Sequence, residues 1–284
     1  MKTLEALLDQ AREASDNGNE DEAIRLYETI LSQKEDWSKP HYNLGLIYKY
    51  RKEWGPSHRH NKRAVELNPN DEAATWNLGI AATMLNKWEL ARQCWNFFGM
   101  KYEIVEEETE GDIGKTPIRI NPHGEGEIVW ATRICPARAI ILNIPYPESG
   151  HRYRDMVLND GAPNGYRLLE GKEYAVFDEI QHLNKSAYQT FSIRCRLQHK
   201  KHFDDLENRC EAAGIAIENW TTSVRLLCKQ CSEGKPHEAH DHELKMIDNE
   251  NLIAFASTSQ ETLEEVLEAW SKETGSDYYE CHYY

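Results

Sequence analysis

The sequence contains no apolar run approaching the roughly 20 residues that a bilayer-spanning helix needs, so a membrane span is not expected. Its first residues, MKTLEALLDQAREA, carry Glu5, Asp9 and Glu13 in place of the apolar stretch of a signal peptide. Export is therefore not expected, and a cytoplasmic location is. Cysteine is sparse and odd in number: seven, scattered except for one C-x-x-C. That excludes a disulfide framework and suits reduced thiols with one metal site. Basic charge is also short, with 33 Lys and Arg against 48 Asp and Glu, a net −15. The deficit is uneven. Residues 1–100 hold 13 basic and 15 acidic side chains, whereas residues 101–284 hold 20 and 33. Such a surface disfavours nucleic acid and anionic membranes and favours a basic protein as partner.

What the sequence does have is a repeat of 34 residues, aligned without a gap at Leu4, Ser38 and Glu72. Leu44-Gly45 is answered by Leu78-Gly79, Ala23 by Ala91 and Tyr27 by Trp95, and HYNLGLIYKY (41–50) nearly repeats as TWNLGIAATM (75–84). Leu44, Ile47 and Tyr48 fall at the i, i+3, i+4 spacing of a buried helical stripe, which Ala64 and Leu67 continue in the next helix. Gly45 and Gly79 stand mid-helix, where glycine costs about 1 kcal/mol relative to alanine. A helix tolerates that cost where a neighbour must approach closely. Asn68-Pro69-Asn70-Asp71 reads as a turn whose proline stops the preceding helix. The period points to a helical solenoid, an architecture that binds other proteins.

The N-L-G at 43–45 and 77–79 and the Pro69 turn resemble the tetratricopeptide repeat (TPR) family over residues 3–99. The resemblance implies antiparallel helix pairs stacked into a short right-handed superhelix with a concave groove. The first repeat departs from the pattern, with Ala11 for the glycine and Gly18 at its turn, and reads as a cap. The second departs with Pro56 and Ser57 at the start of its second helix. The groove implied by the family would be lined by Leu8 and Arg12, then Tyr42, Asn43, Leu46 and Tyr50, then Trp76, Asn77, Ile80 and Met84. Aromatic side chains and amides of this kind suit an extended peptide. The same groove could be filled by the protein's own C-terminal part. Ala73 and a shortage of Lys and Arg argue against a clamp for a terminal carboxylate.

Beyond the repeats the expected organisation is an acidic linker at 101–118, a β-rich small barrel or curled sheet at 119–185, and a ferredoxin-like domain at 186–284. VEEETEGDIGKTP (105–117) reads as an exposed connector. GEIVWATRI (126–134), ARAIILNIPY (137–146), DMVLND (155–160) and EYAVFDEI (173–180) read as strands separated by turns such as NDGAPNG (159–165). Asp155, Asp160 and Asp178 follow or flank strands, are expected to lack a histidine partner and a glycine-rich phosphate loop, and read as structural, so no catalytic residue is assigned.

The last hundred residues follow a βαββαβ order. QTFSIRCRLQ (189–198), IAIENWTTSVRLLC (215–228), NLIAFAS (251–257) and YYECHYY (278–284) read as strands. The first helix runs over 202–214, and the second starts with Thr258 and Glu261 in capping-box spacing. The fold class is thus multidomain α + (α+β), with a Cys/His-rich insertion at 228–243. There Cys228 and Cys231 precede His237, His240 and His242, a set able to form a tetrahedral structural zinc site in which His240 and His242 compete for one position. Cys281-His282 is a further ligand source. A solvated polar loop is the bland alternative.

Together these features predict a non-enzymatic intracellular adaptor or regulator that binds another protein through the groove and an acidic C-terminal surface. One alternative is an immunity protein that neutralises a basic toxin domain, for which acidic charge would speed capture. Another is a zinc-dependent enzyme centred on 228–243.

Overall fold

A computed structural model describes residues 3–124, 126–169, 171–197, 199–221 and 250–284. The chain divides into two units, Met1–Glu110 and Gly111–Tyr284. Among the described residues no helix is long and apolar enough to cross a membrane.

The first unit is helical, and its repeat is visible in the helix boundaries. Helices α1 (Leu4–Asp16), α3 (Ser38–Tyr50) and α5 (Glu72–Met84) start 34 residues apart, as do α2 (Glu20–Gln33), α4 (Trp54–Leu67) and α6 (Trp88–Phe97). A three-residue connection joins the helices of each pair, so each pair folds back as an antiparallel hairpin. The connections share a backbone device: Gly18, Lys52 and Asn86, again 34 apart, all adopt positive φ (76°, 60° and 54°). Side-chain caps start two of the first helices. Thr3 Oγ1 accepts from Ala6 N at 3.2 Å, and Asp71 Oδ1 accepts from Ala74 N at 2.9 Å. Pro56 is the third residue of α4, among the amides that have no intrahelical acceptor, so its missing N–H costs no hydrogen bond. One core cluster gathers Leu8, Ala11, Ala23, Tyr27, Ile30, Leu44 and Ile47 from α1, α2 and α3.

The acidic stretch after α6 is not an exposed connector throughout. The buried Arg92 guanidinium donates to the Glu103 and Glu107 carbonyls, both at 2.9 Å, and to Thr109 Oγ1 at 3.1 Å. Asn96 bonds the Tyr102 backbone in both directions, at 2.8 and 2.7 Å. Thr109 is buried, while Glu103, Glu106, Glu107 and Glu110 remain exposed. Main-chain carbonyls are satisfied inward and carboxylates stay hydrated, so an acidic segment can pack without burying charge.

The second unit opens with a closed barrel of five strands: β1 (Lys115–Ile120), β2 (Glu127–Cys135), β3 (Arg138–Ile141), β4 (Met156–Leu169) and β5 (Lys172–Asn184). Neighbours are antiparallel except where β5 closes on β1 in parallel, Ile118 opposite Phe177. Alternate residues fill the interior: Ile118 and Ile120, Val129 and Ala131, Ala139 and Ile141, with Val157. Two expectations differ here. Lys115-Thr116-Pro117, assigned to the linker, belong to β1, with Thr116 and Pro117 buried. NDGAPNG is no turn but the middle of β4, which slips register against β5 between Leu158 and Tyr166. Such bulges accommodate both Pro163 and the positive φ of Gly165 (104°).

A four-stranded antiparallel sheet follows, in the order β7-β8-β6-β9, from β6 (Gln189–Arg196), β7 (Ala216–Asn219), β8 (Glu250–Ser257) and β9 (Tyr278–Tyr283). Helices α7 (Lys200–Ala212) and α8 (Gln260–Thr274) cover one face, burying Phe191, Ile193, Cys195, Ile253 and Phe255 against Leu206, Cys210, Leu263, Leu267 and Trp270. The cap of α8 lies one residue later than the spacing suggested. Ser259 Oγ, not Thr258, accepts from Thr262 N at 3.2 Å. On the other face Ala254, Ala256 and Trp220 meet Ile144 of the segment after β3. Trp220 Nε1 donates to the Ile144 carbonyl at 3.1 Å, and Glu218 accepts from Ile144 N at 3.1 Å.

Candidate functional site

The stacked first helices of the three repeats carry the residues expected to line a groove. Leu8, Tyr42 and Trp76 occupy one repeat position, Arg12, Leu46 and Ile80 another, and Tyr50 and Met84 a third. Packing separates them. Leu8 belongs to the core cluster, Ile80 is fully buried and Asn77 is buried. Tyr42, Asn43, Leu46, Trp76 and Met84 are half-buried, and Arg12 and Tyr50 are exposed. Trp76 makes edge contacts with Trp95 and Phe98, at centroid distances of 5.1 and 4.9 Å. Arg12 faces Asp9 on its own helix at 3.8 Å.

What allows the helices to come close is the glycine at the crossing. A Cβ on Gly45 would stand 2.5 Å from Asn61 Nδ2, and one on Gly79 would stand 2.5 Å from the Trp95 ring. The second repeat differs chemically from the others at this crossing. Where they have Ala23 with Tyr27 and Ala91 with Trp95, it has Ser57 with Asn61. Ser57 Oγ donates to the Gly45 carbonyl at 2.9 Å, and Asn61 Nδ2 donates to the Ser57 carbonyl at 2.9 Å. A polar pair thus replaces an aromatic ring while the close approach is kept.

Sequence reading missed Lys49. It is fully buried on α3, donates to Asn77 Oδ1 on α5 at 3.1 Å, and sets its ammonium 4.3 Å from the Tyr50 ring centre. Set between Tyr48 and Tyr50 and just before Arg51 and Lys52, it had no local signal of burial. Histidines were missed as well. His41 Nε2 lies 3.0 Å from the Glu35 carbonyl, so that nitrogen carries the proton. Its Nδ1 therefore accepts from His60 Nδ1, 3.1 Å away. Burial, the neighbouring His41 and the charge of Arg59 push His60 down to about 4. Burial first, then the charge of Arg63, lowers His41 against the bond to Glu35. The pair is neutral at pH 7.

The expectation that the barrel aspartates lack a histidine partner is corrected. His182 Nε2 is 2.9 Å from Asp155 Oδ2, brought there by the pairing of β4 with β5. Asp178 instead faces Arg119 at 3.1 Å and accepts from Asn164 at 2.7 Å. Asp160 accepts from Gly161 N at 2.7 Å.

Cys228, Cys231, His237, His240 and His242 lie outside the described residues. Among the described residues no cluster of three or more His, Cys, Asp or Glu is placed to hold a metal ion. Cys281 and His282 are exposed neighbours on β9, beside a register shift against β6.

No family model matches the chain, and no curated protein matches it. Among solved structures, the second TPR of Spaghetti (RPAP3) bound to the HSP90 peptide SRMEEVD is similar at a TM-score of 0.31 and 18% identity, over 33% of this chain and 81% of that one. A hypothetical protein from Neisseria gonorrhoeae is similar at a TM-score of 0.25 and 15% identity, over 59% of this chain and 92% of that one.

Proposed function

We propose that the protein is a non-enzymatic adaptor or regulator that binds another protein through a groove of tetratricopeptide type. The observation that carries this reading is the 34-residue spacing shared by helix starts and left-handed turn residues. Repeats in strict register stack their first helices side by side, and the stack presents Tyr42, Leu46 and Tyr50 next to Trp76 and Met84. Aromatic side chains lose few rotamers on binding and bury much area, which makes them effective anchors for a peptide. Reading the last hundred residues as ferredoxin-like rests on the β7-β8-β6-β9 order with both helices on one face.

The test compares the full chain with Tyr50→Ala and with Leu46→Ala in affinity capture from the source cell. A partner retained by the wild type and lost by both variants supports the groove. A partner retained equally by all three places binding elsewhere. The toxin-immunity version adds a requirement: tight binding to a basic domain that weakens steeply with salt. The zinc reading rests on the spacing of Cys228, Cys231 and the three histidines. Stoichiometric zinc in the purified chain, lost in Cys228→Ser, supports it; metal-free protein of unchanged stability rejects it. Loss of metal together with fold indicates a structural ion, whereas loss of an activity with the fold intact would indicate the enzymatic alternative.

A further inference from the structure

In the barrel unit, two carboxylates and two imidazoles meet where the segment between β3 and β4 crosses β5. His151 and Asp155 come from that segment, and Glu179 and His182 from β5. The side chains of His151, Asp155 and Glu179 are at most 7% exposed, and the two imidazole rings stack at 4.5 Å, inclined by 20°.

The surroundings of His151 decide its protonation. Its Nδ1 is 2.9 Å from the Ser149 carbonyl, which has no proton to give, so Nδ1 must donate. Its Nε2 is 2.8 Å from Glu179 Oε1. A carboxyl is the stronger acid of the two, so the shared proton belongs on the imidazole. Glu179 is committed on its other oxygen, where Oε2 accepts from Asn121 N at 3.1 Å. Asp155 fixes the same segment, accepting from Arg152 N at 2.8 Å and from Ser186 N at 2.7 Å. His182 Nε2 approaches Asp155 but off the line of the ring N–H. The neighbouring charges of Arg119 and Asp178 pair with each other, and Asp178 points away from Glu179 by strand alternation.

We propose that His151 is held as a buried imidazolium and that its pair with Glu179 is a pH-operated clasp, closed when His151 is charged and released when it loses its proton. Neutral His151 would aim a bare nitrogen at the Ser149 oxygen or at Glu179, and a buried carboxylate would be left uncompensated. What the clasp holds is the segment whose Ile144, Tyr146 and Tyr153 cover the Ala254 and Ala256 face of the sheet. Release therefore loosens the seam between barrel and sheet.

The electrostatics agree in direction. Burial opposes a charge on His151, but the hydrogen bond and charge of Glu179, the Ser149 carbonyl and Asp155 outweigh it, and its pKa is raised. Burial likewise opposes ionised Glu179, and His151, the Asn121 amide and His182 outweigh it, so its pKa is lowered. The clasp's contribution is full below the ordinary histidine value of about 6.5 and is lost as pH rises through the elevated value of His151. On the acid side it persists until Glu179 titrates, below the usual carboxylate range.

The experiment is an NMR titration of the full chain carrying labelled histidine, with His151 assigned by its loss in His151→Gln. We expect both ring nitrogens of His151 to stay protonated above pH 6.5, and Glu179→Gln to lower its midpoint by about one unit, tenfold in proton affinity. Amide exchange of Arg152 and Ser186, corrected for intrinsic rate, should accelerate as His151 deprotonates while α8 amides stay protected. A midpoint at or below that of a free histidine, or one unmoved by Glu179→Gln, would overturn the imidazolium. Protection of Arg152 and Ser186 that persists through the titration would overturn the clasp. If His151→Gln does not fold, Glu179→Gln and Asp155→Asn supply the assignment.

Discussion

The missing side chain of Gly79 and the indole of Trp95 occupy one space: a methyl on Gly79 would lie 2.5 Å from the ring. Trp95 is fully buried and cannot swing away. Alanine would gain about 1 kcal/mol of helix propensity, but overpacking of a closed core costs typically 1–3 kcal/mol. Gly79→Ala is therefore expected to destabilise the helical unit, measured by denaturation followed at the helix circular-dichroism band. Combining it with Trp95→Leu should recover part of the loss, because the clash partner is removed. Additive losses in the double variant would show that the two positions do not share this space.

The left-handed turn residues give a prediction of opposite sign. Lys52 and Asn86 hold the conformation that Gly18 holds in the first repeat. A side chain in that region costs roughly 1–2 kcal/mol, partly offset by glycine's greater freedom in the unfolded chain. Lys52→Gly should raise the free energy of unfolding by about 1 kcal/mol or less. Asn86→Gly should gain less, because asparagine tolerates this conformation better. A fall in stability for Lys52→Gly would mean that its side chain contributes more than its backbone strain costs.

His41 and His60 make the helical unit sensitive to acid. Both pKa values are depressed, that of His60 to about 4, so the unfolded chain binds more protons than the folded one below the ordinary value near 6.5. The contribution of the neutral pair is complete above that value and is lost as pH falls toward 4. Equilibrium unfolding at a series of pH values should show stability declining across this window. His60→Gln keeps a donor and acceptor without the titration, and should flatten the decline. An unchanged slope in that variant would assign the acid sensitivity to other groups.

Arg92 holds the acidic strap by three main-chain carbonyls and a hydroxyl. Arg92→Ala removes the guanidinium from those acceptors, and the segment 103–109 should detach. Cleavage by a glutamate-specific protease in this segment is expected to accelerate at least about tenfold, the factor that a loss near 1.4 kcal/mol in local opening produces. Arg92→Lys should not restore protection, because an ammonium cannot span the same fork of acceptors. Equal cleavage rates in wild type and both variants would show that Arg92 does not hold the strap.

Legibility followed sequence distance. The repeats were readable because each helix hairpin closes within 34 residues and its stripe, crossing glycine and turn recur in order. The closed barrel was harder. β1 begins directly behind an acidic run, so Thr116 and Pro117 looked like connector, and the Asn-Asp-Gly-Ala-Pro-Asn-Gly of β4 carries turn composition inside a bulged strand. Lys49 had no local sign of burial, because its acceptor Asn77 lies 28 positions away, in the next repeat. The pairings of Asp155 with His182 and of His151 with Glu179 cross 27 and 28 positions.

By itself the sequence determined the period of the repeats, the close crossing at Gly45 and Gly79 and the alternation of the core strands. Each of these follows from backbone geometry and from the apolar spacing within one element. Tertiary structure alone decided which polar side chains were paired: the histidine charge states, the buried lysine, the strap under Arg92 and the clasp in the barrel. The reason is that a side chain's protonation and its contribution to stability are set by the atoms facing it. Those atoms come from elements that only folding brings together.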